Sequence, residues 1–129
     1  MNIALLKIGR IIYAIPFAIF GLFHFMNAGA MAGMVPLPGG VFWVYLTGVA
    51  LIAASVAILI NRYARLACQL LGVMLFIFAL SIHLPGVLGA ADEAAMALSM
   101  TGLLKDIALG GAAWAIADTF APQTGAPAA

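Results

Sequence analysis

The sequence predicts an all-α integral membrane protein, a four-helix bundle running up-down-up-down with both termini in the cytoplasm. Three observations predict it. Hydrophobic residues make up 67% of the 129 positions and charged residues 7%, where soluble domains hold roughly half and roughly a quarter. The apolar residues fall into four stretches of spanning length, about 20 residues each for a hydrocarbon layer about 30 Å thick. Five Lys or Arg and four Asp or Glu are too few to cover the surface of a soluble domain. Disorder is excluded by the same composition, because disordered chains are charged and poor in aliphatic residues.

The first span is expected over about residues 7–30, with Arg10 near its start and His24 toward its end. Pro36, Pro38, Gly39 and Gly40 then break any helix, since proline removes a donor and glycine permits turns. The second span, about 41–60, carries no charge, and Asn61 to Arg65 forms a polar turn. The third covers about 66–84, ending at His83, with Pro85, Gly86, Gly89, Asp92 and Glu93 as a longer break. The fourth, about 95–116, contains Lys105 and Asp106. The spans make one domain over 1–121, leaving 122–129 as a flexible tail.

Lys7, Arg10, Arg62 and Arg65 flank spans on one side, and positive residues mark the cytoplasmic face. Trp43, Tyr45, Tyr63 and Trp114 suit the membrane interfaces as anchors. A signal peptide reading, with cleavage near Ala28 to Ala30, competes for the first span, but that stretch is long enough to span. The net charge of +1 and the lack of a basic patch exclude nucleic acid as a partner. Cys68, the one cysteine, excludes an internal disulfide or a CxxC pair and reads as an apolar packing residue.

Ionisable groups within spans are costly and mark pathways or sites. His24, His83, Lys105 and Asp106 are therefore the candidate ligand-binding or proton-relay residues, placed around one outward-facing polar pocket. Arg10 reads as an anchor at the cytoplasmic interface or as an inward ion partner. Phe17, Phe20, Gly21 and Phe25 are the candidate lining, the aromatics as walls and Gly21 leaving room beside His24. Gly102, Asp106 and Gly110 recur at intervals of four, a small-residue stripe that turns Asp106 toward the bundle. Lys105 lies about 100° away around the helix, so the two are not expected to face each other. Asp92, in the outer loop, is expected to tolerate replacement by Ala. No catalytic residue is assigned. His24, Met26, Met31 and Met34 form a soft-ligand set that would suit Cu(I), although flexible apolar packing accounts for the methionines as well.

Five segments resemble the DoxX family of small four-helix bacterial inner-membrane proteins: Phe20 to Phe25 (FGLFHF), Met34 to Pro36, Trp43 to Gly48, Ile82 to Gly86 (IHLPG) and Leu103 to Ala112 (LLKDIALGGA). They spread over all four spans. The resemblance implies the bacterial inner membrane and an association with quinone-linked redox or oxidative-stress systems; it carries no accepted catalytic set. Two readings then stand: a redox component whose polar cluster binds a quinone head group or relays protons, and a non-catalytic subunit or assembly factor of a larger membrane complex. A homo-oligomer in the lipid bilayer fits either. A haem held by His24 and His83, or copper on the outer side, is a third, against which His83 is the shallower residue.

Overall fold

A computed structural model describes residues 1–122. Among them the chain is helical with no strand. Helix α1 covers Ile3–Met26, α2 Ala28–Ala32, α3 Gly40–Ile60 and α4 Ala64–Phe78. A π-helical turn, Ala79–His83, joins α4 to α5 (Leu84–Leu88), and α6 covers Glu93–Ala117. Three helical stretches are long and apolar enough to cross a membrane: Ile3–Met26, Gly40–Ile60 and Ala64–Leu88. The fourth long helix, α6, matches them in length, and Lys105 and Asp106 make it more polar.

The helix ends differ from the expected spans for local reasons. The first begins at Ile3, not near Lys7, because Asn2 caps it by accepting the Leu5 N–H at 3.1 Å. It stops at Met26, not Ala30, because Asn27 leaves helical geometry and its side chain donates back to the Phe23 carbonyl. Pro85 does not break the third stretch. The Leu84 N–H bonds to the Ala79 carbonyl five residues back, and this wider turn relieves the clash a proline makes with the turn before it. The path therefore stays helical to Leu88. Asp92 is not the neutral loop residue expected of it: its carboxylate accepts the Ala95 N–H at 2.7 Å and caps α6. Residues 123–129 of the expected tail lie outside the described residues.

Helix α1 packs on α3, α4 on α6, and α3 on α4. Between helices this apolar, contacts in a lipid layer would rest on close approach and hydrogen bonds. Glycines supply the approach. A Cβ on Gly21 would fall 2.8 Å from the Gly48 carbonyl oxygen, so α1 and α3 cross backbone to backbone. Gly72 receives the Trp114 ring, whose indole N–H donates to the Gln69 carbonyl at 3.1 Å. Trp114 thus joins α6 to α4 as well as standing near a helix end. Ser55, fully buried, donates to the Ala14 carbonyl at 2.8 Å, and the Tyr13 hydroxyl donates to the Leu109 carbonyl at 2.7 Å.

Arg10 is engaged by the segment that follows α6. Its Nε donates to the Thr119 hydroxyl at 3.0 Å, its Nη2 to the Thr119 carbonyl, and its guanidinium lies 3.8 Å from the Phe120 ring centre. It ties the first helix to the segment after α6. Arg65 pairs with Asp118 at 3.1 Å at the same end. Cys68 is buried there among Ala14, Ile58, Ala64, Ala117 and Phe120, as its surroundings in sequence suggested. Farther along, Phe17, Leu51, Ala54, Leu71 and Leu75 form a second core.

Two substitutions separate close approach from helix propensity. Gly21→Val should destabilise by about 1–3 kcal/mol, the usual range for overpacking. Gly111→Ala, where an added Cβ meets nothing within 4 Å, should be neutral or stabilise by up to about 1 kcal/mol. Thermal unfolding of the detergent-solubilised protein, followed by circular dichroism, measures both.

Candidate functional site

Past the second core the helices part around a cavity of about 940 Å³. Phe17, Leu51 and Leu75 belong to both core and cavity wall. Met31, Met34 and residues 35–37 line it from the connection between α1 and α3. That connection is pinned by Gly40, which has no room for a Cβ against the Ala32 carbonyl oxygen 2.7 Å away, and by Trp43 Nε1 donating to the Pro38 carbonyl at 2.9 Å.

His24, His83, Lys105 and Asp106 all border this one cavity, with Phe17 and Phe20. Asp106 is buried, its side chain 6% exposed, and two groups meet it. His83 Nε2 lies 3.1 Å from one carboxylate oxygen, and Lys105 Nζ lies 3.9 Å from the other. The Lys105 contact corrects the expectation from helical angle. Four methylenes let the ammonium swing around the helix to its neighbour, while also standing 5.3 Å from the centre of the Phe20 ring, within cation–π range.

The stripe on α6 has a specific geometry. A Cβ at Gly102 would fall 2.5 Å from His83 Nδ1 and Cε1, and one at Gly110 would fall 2.9 Å from Phe76. Gly102 is therefore the notch that seats the imidazole, Asp106 its partner one turn on, and Gly110 the seat of Phe76. His83 is the last residue of the π-helical turn, which delivers it to the notch.

His24 is held within its own helix. Its Nδ1 lies 2.6 Å from the Phe20 carbonyl oxygen. A carbonyl oxygen only accepts, so Nδ1 carries the proton, and Nε2 of the neutral ring is an acceptor.

Other expected site residues lie elsewhere. Gly21 makes room for α3, not for a ligand, because Ile52 and Gly48 fill the space beside it. Phe25 does not line the cavity; it faces α3 and stacks on Tyr45 with ring centres 5.5 Å apart. Met26 is 76% exposed, outside the cavity that His24, Met31 and Met34 share. The copper set is thus reduced to three residues bordering one space. Among the described residues no three His, Cys, Asp or Glu side chains cluster as a metal site would.

Sequence reasoning missed the lining supplied by α3 and α4. Trp43, Thr47 and Leu51 recur at intervals of four, as do Met74, Phe78 and Ile82. That periodicity was the available signal, and in wholly apolar helices it does not stand out.

Comparison of the chain with protein-family models, with curated proteins and with solved structures finds no match.

The two buried carboxylate contacts and the α6 cap respond differently to substitution. Asp106→Ala should destabilise by about 1–3 kcal/mol, because His83 and Lys105 lose their shared acceptor. Asp92→Ala should cost about 1 kcal/mol through the cap alone and leave the cavity unchanged. Thermal midpoints rank the two, and 15N chemical shifts of the His83 ring should move only for Asp106→Ala.

Proposed function

We propose that the chain is a DoxX-like protein of the bacterial inner membrane, whose cavity binds a quinone head group. Helix α6 is its fourth span, the four long helices form an up-down-up-down bundle, and both termini face the cytoplasm. One observation carries the binding reading: a 940 Å³ cavity with mostly apolar and aromatic walls, into which His24, Lys105 and the His83–Asp106 pair converge. Small-molecule sites typically combine a volume of this order with a few placed polar groups.

The polar groups suit a ring bearing two oxygens. The Lys105 ammonium donates to a carbonyl oxygen, its charge balanced by Asp106. His24 Nε2 accepts from a ring hydroxyl, because the Phe20 carbonyl holds the proton on Nδ1. His83 fixes Asp106 and so holds the ammonium in place. Phe17, Phe20 and Trp43 give the cavity an aromatic lining suited to a flat ring. When bound, a quinone supplies two-electron redox chemistry; the residues supply orientation and proton-bearing contacts.

Of the two tryptophans, Trp43 borders the cavity and Trp114 does not. A short-chain benzoquinone should quench the fluorescence of the purified protein saturably. Lys105→Met should weaken binding about tenfold, the worth of one charge-assisted hydrogen bond. His24→Ala should weaken it more than His83→Ala, while Lys7→Gln leaves it unchanged. Linear quenching, equal in all variants, would refute the site.

Orientation has its own test. A green fluorescent protein fused to residue 129 should fluoresce, and an alkaline phosphatase fused there should be inactive; the reverse pattern would place the termini outside.

A further inference from the structure

A second cavity, of about 600 Å³, shares no lining residue with the first. It is a trough along one face of α3. Ile52, Val56 and Ile60 form one row at four-residue spacing, and Val49, Ala53 and Ala57 form the next. The methyl side chains of Ala53 and Ala57 sink the second row beside the first. Phe25 stands at one end, and Arg62 and Tyr63 stand at the other. From Val49 to Ile60 the helix rises about 16 Å at 1.5 Å per residue. That is close to half of a hydrocarbon layer about 30 Å thick. The trough is one leaflet deep, and it ends at a cation.

The cation is available. Arg10 is engaged by Thr119 and Phe120, and Arg65 by Asp118. Among the described residues neither Arg62 nor Arg10 has a carboxylate within 4 Å, and Arg10 is held by the Thr119 carbonyl and the Phe120 ring. Its neighbours Asn61 and Tyr63 hold φ of 54° and 53°. Asparagine adopts this region readily, but a bulky tyrosine does so rarely, and such residues tend to persist where function requires them. The turn leaves Tyr63 61% exposed at the cavity end beside Arg62.

We infer that this trough binds an anionic phospholipid, one acyl chain along Val49 to Ile60 and the phosphate on Arg62. A guanidinium forks two donors onto phosphate oxygens, and a tyrosine hydroxyl adds a third. The anionic headgroup, with no ammonium to compete for its phosphate, is the better match. The side of the membrane is the one that carries Lys7, Arg10 and Arg65, where positive residues meet anionic lipid. This inference is independent of the quinone reading, because the two cavities have no residue in common.

Native mass spectrometry of the full chain, titrated with phosphatidylglycerol or phosphatidylcholine of the same acyl composition, tests it. The wild type should retain phosphatidylglycerol about fivefold more tightly, the worth of one well-placed cation at a membrane surface. Arg62→Gln should abolish the preference, and Arg65→Gln should keep it. Ala53→Phe, or Ala57→Leu where the first folds poorly by circular dichroism, should reduce retention of both lipids by filling the trough. Equal retention by the wild type, or a preference that survives Arg62→Gln, overturns the site. A dimer that Ala53→Phe disperses overturns it too, since a second copy would then be the occupant.

Discussion

A carboxylate buried in an almost uncharged chain has to be met by donors, and much of the cavity follows from how Asp106 is met. Its two oxygens face His83 and Lys105, and both partners border the same space. Without them, an ionised group in an apolar interior would cost several kcal/mol. The pairing joins the π-helical turn to α6. It also leaves the ammonium where a bound molecule could reach it.

The helix contacts around Asp106 illustrate how helices apolar enough to cross a membrane can hold together through close approach and hydrogen bonds. Gly21 and Gly48 bring α1 and α3 together, Gly72 seats Trp114, Gly102 seats His83 and Gly110 seats Phe76. Ser55 and Tyr13 add donors onto backbone carbonyls of neighbouring helices. One end is filled by the apolar side chains around Cys68 and tied by Arg10 and Arg65. Toward the other end the same helices separate, and the second core gives way to the cavity. The tight end holds the helices together, and the open end holds the candidate site.

The cavity places its donors and acceptors by different means. His24 is oriented by a carbonyl of its own helix, four residues back, so α1 alone sets its ring. His83 depends on a partner helix and on the extra residue of the π-helical turn. Wide turns of this kind often occur at functional sites. Here it carries the helical path past Pro85 while presenting the imidazole to α6.

Composition and periodicity alone determine that the chain is helical and apolar enough to cross a membrane. A hydrocarbon layer rejects charge and demands about 20 apolar residues per crossing, so that signal is written in single residues. Asp106 on its small-residue stripe was legible for the same reason, since a lone acid and two glycines at intervals of four stand out in an apolar helix. Tertiary structure decided the rest. Which side of Gly21 faces α3, that Phe25 turns away from His24, and that Lys105 reaches its neighbour depend on packing and side-chain length. The π-helical turn depends on relief of a proline clash, and a regular 3.6-residue period does not register it. In helices apolar on every face, hydrophobicity cannot tell lipid from neighbour. Only the contacts between helices can.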